Sequence, residues 1–175
     1  MIVPAHPLTD DELLALSAAN PGWHIEREPD GSLSVSPPAS YRNAIRAAEA
    51  TRQLQAWGAD RGWAASADGG VKMPDSSVRA PDASWISFER WQALNDHDRA
   101  KYPPVVPDVV IEIVSEFDSY AAQRRKTLRY VEQGARYGVV IDPERRRFEA
   151  FGEPPDGLTL DVERIIDAGT SPGAD

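Results

Sequence analysis

The chain contains no cysteine, three histidines, three lysines (Lys72, Lys101 and Lys126) and no long apolar run. Without cysteine there are no disulfides, no thiolate metal ligands and no thiol nucleophile. His6, His24 and His97 are not at the spacing of a metal site. No segment approaches the roughly 18 to 20 apolar residues of a membrane span. The start, "MIVPAHPLTDDELLAL", has no basic segment leading into an apolar one, so a cytoplasmic protein without a membrane partner is expected. Neither the Gly-x-Ser-x-Gly elbow of a serine hydrolase nor the Gly-Lys-Ser/Thr of a phosphate loop occurs. Positive charge is also scarce overall, at a net −9. This is adverse to a nucleic-acid binder, although an acidic protein can still carry one basic face.

What is present suits one domain with a real core: 175 residues, 41% hydrophobic and 27% charged, close to the globular average. Residues 1–152 read as that domain and residues 153–175 as a C-terminal extension with a loose end, "TSPGAD". Thr9 before "DDELLAL" is a helix N-cap with acidic residues in the first turn, and "NPG" closes that helix. "WHIERE" and "SLSVSP" flank the turn "PDGS" as a hairpin. From residue 40 to 61 there is no proline, and no glycine before Gly58. The spacing of Ile45, Ala48, Leu54 and Trp57 predicts the longest helix there. Strands follow within residues 63–73 and at "PDASWISF", then a helical turn and loop at residues 89–104. A helix in the segment from Phe117, capped by Asp118 or Ser119, closes at Gly134, and a final strand pair surrounds "PERR". The order of elements predicts an α/β or α+β fold with a mixed sheet flanked by helices.

Between Pro107 and Ser115 the sequence reads "DVVIEIV". The β-branched run has the pattern of a strand covered on both faces, yet Glu112 sits in its middle. An ionised carboxylate rarely leaves water without a partner. Glu112 therefore lies at an exposed end, pairs with a cation, or holds a metal. Alternation places Asp108 and Glu112 on one strand face, so periodicity does not choose between them. Asp82 follows Pro81 at a strand entry, and Lys126 lies in the helix after Glu112. Two carboxylates from neighbouring strands form an oxygen-rich site of the kind magnesium prefers. An ammonium nearby would orient water or stabilise charge on a phosphate. The plain alternatives are a strand-entry aspartate, a structural ion pair at Glu112 and a solvated helix lysine.

"RAPDASWI", "PDVVIEIVS" and "RRKTLRYVEQGARYGVVIDPERRRFEAF", in that order, resemble the Uma-two family of restriction-endonuclease-like proteins within the PD-(D/E)XK nucleases. The resemblance covers most of the chain, from about residue 8 to 151. It implies a restriction-endonuclease-like fold, an endonuclease acting on DNA, and magnesium, with manganese as substitute, held by Asp82, Glu112 and the Ile113 carbonyl. The lysine of the general pattern lies two residues after the acid, where this chain has Val114; the resemblance matches Lys126 instead. Near the start of the long helix relatives often carry histidine or glutamate, and Asn43 is the nearest match here. Arg42, Arg46, Arg124 and Arg125 are the candidate phosphate contacts, and a homodimer is implied. The rival expectation is a protein that keeps the nuclease fold and serves as a binding or regulatory module.

Overall fold

The structure is a computed structural model that describes residues 1–116 and 118–170. Phe117, expected near a helix start, and the expected loose end from residue 171 lie outside the described residues. Helix α1 (Asp10–Ala19) opens on a capping box: the Glu12 amide donates to the Thr9 hydroxyl, and the Thr9 amide donates to Glu12 at 2.8 Å. Strands β1 (His24–Arg27) and β2 (Leu33–Ser36) form the expected hairpin. They join β5 (Val78–Arg79) and β4 (Val71–Lys72) in a four-stranded antiparallel sheet of order β2-β1-β5-β4. A second, mixed sheet runs β3-β6-β7-β8-β9. Its strands are β3 (Gly62–Ser66), β6 (Ala83–Ser87), β7 (Val109–Ile113), β8 (Tyr137–Asp142) and β9 (Arg147–Gly152). Only β7 and β8 run parallel, joined by the crossover helix α5 (Tyr120–Glu132). The two short helices α3 (Phe88–Gln92) and α4 (Asp96–Arg99) lie between β6 and β7.

All five residues of β7 are buried, as its apolar run predicts. One face of the mixed sheet packs under the long helix α2 (Tyr41–Gly58) and under α6 (Val162–Asp167). Trp85, Val109, Ile111, Ile113, Val139 and Ile141 meet Ala50, Leu54, Ile165 and Ile166 there. Gly58 and Gly62 admit the Trp85 indole: a Cβ at either would stand 2.3–2.4 Å from Trp85 or from the Ile86 carbonyl. The opposite face receives α5 and the edge of the four-stranded sheet, through Val110, Tyr130, Ala135, Val71 and Met73.

Residues 63–73 carry strands as expected, and β3 and β4 belong to different sheets. Two features differ from the expectation. The buried stripe of α2 is Asn43, Arg46, Ala50, Leu54 and Gly58. Ala48 faces solvent, and two polar residues occupy places where only apolar ones were expected. Beyond Gly152 the chain contributes α6 to the main core, with Ile165 fully buried. Asp161 caps α6 by accepting from the Arg164 amide, and Val162, Ile165 and Ile166 form an apolar face at helical spacing. No described helix is long and apolar enough to cross a membrane.

Candidate active site

In the antiparallel β6–β7 register Ala83 stands opposite Ile111 and Ser84 opposite Val110. One further step places Asp82 opposite Glu112. Alternation then turns both carboxylates toward α5, away from the apolar face that Ala83, Ile111 and Ile113 share with α2. Asp82 is half-buried, and its Oδ2 accepts the Ile113 amide at 2.7 Å. The Val114 amide donates to the Ile141 carbonyl, so Ile141 is the residue bonded across to β7 at this point. Ile113 therefore directs both its N–H and its C=O away from β8, to the side where Asp82 stands.

Glu112 is 2% exposed. Its Oε1 lies 3.0 Å from Lys126 Nζ, an ionic contact whose angles leave that oxygen without a hydrogen-bond partner among the described residues. Lys126 reaches inward from the middle of α5, about two turns after the Ser119 N-cap, and stands 2.9 Å from Glu26 Oε1. Glu26, on β1, is the member that sequence reasoning missed. Its carboxylate also accepts the Ala80 amide at 2.7 Å and Arg79 Nη1 at 3.3 Å, while Arg79 forks onto Glu28. The four-stranded sheet thus delivers a second carboxylate to the lysine.

The charge states follow from burial and neighbours. Burial alone would raise Glu26, but Lys126 and Arg79 outweigh it and hold the carboxyl below its ordinary value. Burial raises Glu112 to about 8; Lys126 opposes this, while Asp82 and Glu26 add to it. Asp82 is raised by burial against the pull of the Ile113 amide. Burial disfavours the Lys126 ammonium, yet Glu112 and Glu26 hold its pKa well above the ordinary value. At neutral pH the consistent reading is an ionised Glu26, a charged Lys126 and a Glu112 that retains a proton.

Glu112 and Asp82 are both acids raised by burial, and Asp82 adds to the rise at Glu112. Ile113 turns its carbonyl to the same side, and the donor set is all oxygen. These residues fit a hard divalent cation, which would relieve the repulsion that the proton now relieves. Among the described residues no group of three or more His, Cys, Asp or Glu is arranged to hold a metal. Glu26 is accordingly a partner of Lys126, and the fit rests on two carboxylates.

The other expected residues divide. Asp108 is buried and structural: it accepts the Ser87 amide at 2.8 Å and pairs with Arg90 at 3.1 Å. Asn43 is buried on the α2 face, its amide oxygen accepting Arg46 Nη1 at 2.9 Å. Arg46, 5% exposed, donates to the Ile166 carbonyl and to Asn43 and lies 3.5 Å from Glu144. A buried guanidinium so engaged has no face for a phosphate, which corrects the expectation for Arg46. Arg124 forks onto Glu149 at 2.6 and 2.7 Å. Arg42 and Arg125 are exposed and have no ion-pair partner among the described residues.

A family model, Uma2, described as "Putative restriction endonuclease", matches residues 10–170. The chain belongs to the Uma2 family. No curated protein matches it. Among solved structures, a protein from Anabaena variabilis ATCC 29413, called a putative nuclease belonging to DUF820, superposes with a TM-score of 0.67. The alignment covers 92% of this chain and 98% of that one at 19% identity. It establishes for the family member described here the α+β fold with a mixed sheet flanked by helices.

Proposed function

We propose that this protein is a metal-dependent endonuclease that hydrolyses DNA phosphodiester bonds. The observation that carries the reading is the meeting of Asp82, Glu112 and Lys126 on one sheet face, with Lys126 Nζ 3.0 Å from the buried Glu112 Oε1, which has no further partner among the described residues. Asp82, Glu112 and the Ile113 carbonyl would hold magnesium, for which manganese substitutes. When bound, such an ion lowers the pKa of water and neutralises charge on the phosphate. Lys126 stays protonated between its two acids, so it acts as a donor and not as a base, orienting the attacking water or a phosphate oxygen. Glu26 holds that ammonium from the second sheet, and Asp82 is oriented by the Ile113 amide. Exposed Arg42 and Arg125 supply contacts that position the backbone without reading sequence, so binding weakens as salt rises. A homodimer would present one site to each strand.

The test is cleavage of supercoiled, linear and single-stranded DNA with magnesium and then manganese. Wild type should cut, and Asp82→Ala or Glu112→Gln should lose at least about 100-fold, since losing even an outer partner of a metal costs up to that much. A wild type that never cuts with either metal would sink the reading. One observation favours a second reading, that of a binding module without cleavage: Lys126 already sits between Glu26 and Glu112, as a purely structural ion network would have it. On that reading DNA or another partner is retained, nothing is cleaved, and Glu112→Gln changes stability alone.

A further inference from the structure

Lys126 borders a second space besides the carboxylate site. Between α5 and the four-stranded sheet is a shallow recess of about 10 Å³, room for one water-sized group, with Ser77, Arg79, Lys126, Arg129, Tyr130 and Gln133 among its walls and no acidic side chain among the described residues lining it. Its wall includes Tyr130, 1% exposed, whose hydroxyl has no hydrogen-bond partner among the described residues. A buried hydroxyl left unpaired costs about 1 to 3 kcal/mol, so such a group asks what meets it.

An account of donors answers in chemical terms. Arg79 gives its Nη groups to Glu26 and Glu28 and leaves its Nε–H and one Nη2 hydrogen without a protein acceptor among the described residues. Lys126 has three N–H groups for two carboxylates. Arg129 pairs with Asp75 through Nε at 3.4 Å, and its Nη groups make no hydrogen bond among the described residues. Gln133 exchanges hydrogen bonds with Asp75, and Ser77 donates to it, which turns that acid's lone pairs to residues of the wall. The recess is therefore rich in unmet donors and poor in acceptors. Its complement is a ligand that only accepts.

We propose that this recess is a subsite for one oxygen of a phosphate-class oxyanion, joined to the carboxylate site through Lys126, and that it takes a nucleic-acid backbone phosphate other than the one cleaved. The choice of backbone phosphate rests on the nuclease reading, whereas the oxyanion subsite does not. Tyr130 and Arg129 are its binding residues, with Arg79 as the buried cation behind them. Arg129, half-exposed, stands where the remainder of the ligand leads out to solvent.

The experiment is a titration of metal-free protein in chelator, followed by amide and arginine Nε resonances, first with inorganic phosphate and then with a short single-stranded oligodeoxynucleotide. Saturable shifts at Ser77, Arg79, Arg129 and Tyr130 are expected with both. Tyr130→Phe should weaken each by about fivefold, the worth of one hydrogen bond. Arg129→Gln should weaken each by at least as much, and Arg136→Gln, at an exposed arginine of the loop after α5, should not. Tyr130→Phe removes an unpaired group and keeps the fold, so its loss of binding is not a loss of structure. No saturable shift, or equal affinity in wild type and Tyr130→Phe, overturns the proposal and leaves water as the occupant. Binding of phosphate with no corresponding shift from the oligonucleotide overturns the backbone assignment. Neither arm contains a metal or measures cleavage, so failure here and failure of the nuclease reading are separate results.

Discussion

Two buried ionisable side chains, one on each face of the mixed sheet, are treated in opposite ways. On the α2 face Arg46 is 5% exposed and bonded to the Ile166 carbonyl and Asn43, holding α2 against α6. On the α5 face Glu112 is 2% exposed, and its Oε1 has no hydrogen bond among the described residues beyond its ionic contact with Lys126. Tyr130 and Gln123, on the same helix as Lys126, also carry buried oxygens without hydrogen-bond partners among the described residues. A charge buried for architecture is satisfied by its neighbours. The buried carboxyl of Glu112 keeps an oxygen with capacity to spare, which is what the proposed cation site would use.

The comparison can be broken most forcefully at Lys126. Lys126→Met leaves Glu26 and Glu112 facing each other in a buried place and should cost about 3 to 5 kcal/mol, the usual consequence of removing one partner of a buried pair. Chemical denaturation at pH 7 would measure it, and a cost below about 1 kcal/mol would show that the acids do not need the ammonium. Arg46→Met is the matching change on the other face. It leaves the Ile166 carbonyl and the Asn43 amide unpaired, so about 1 to 3 kcal/mol should be lost, while DNA cleavage at a temperature where the variant is folded stays intact. Loss of cleavage without loss of stability would place Arg46 at the site after all.

Glu112→Gln sharpens the contrast through pH. The folded pKa of Glu112, about 8, lies above its ordinary value. Its contribution is therefore fully present below the unfolded pKa and disappears as pH rises through about 8. The difference in stability between Glu112→Gln and wild type should move in favour of the glutamine variant between pH 5 and pH 8 and then level off. A flat difference over that window would mean that Glu112 is ionised throughout. The smallest effect belongs to Tyr130→Phe, which loses a hydroxyl without a protein partner and should stay within about 0.5 kcal/mol of wild type or gain slightly.

Much of this was legible locally. Thr9, Ser119 and Gly134 marked helix ends, and the β-branched run around Glu112 marked a strand buried on both faces. Asp82, Glu112 and Lys126 were picked out through the chemistry of their residue types and the family resemblance. Glu26 was not, because "HIER" is a short, half-polar strand and its meeting with Lys126 spans a hundred positions through a separate sheet. No local spacing encodes that pairing. The α2 register was misread because Asn43 and Arg46 look like surface residues until the Ile166 carbonyl is known to lie above them. Helix α6 could have been found: Asp161 with Val162, Ile165 and Ile166 is a cap followed by an apolar face.

The most direct measurement is a calorimetric titration of magnesium into wild type, Glu112→Gln and Arg46→Met, each folded and at pH 8. The account predicts that wild type and Arg46→Met bind alike, and that Glu112→Gln loses at least about tenfold in affinity. Equal binding by wild type and Glu112→Gln, or no binding by any of them, would contradict it and leave Glu112 as one end of a structural ion pair.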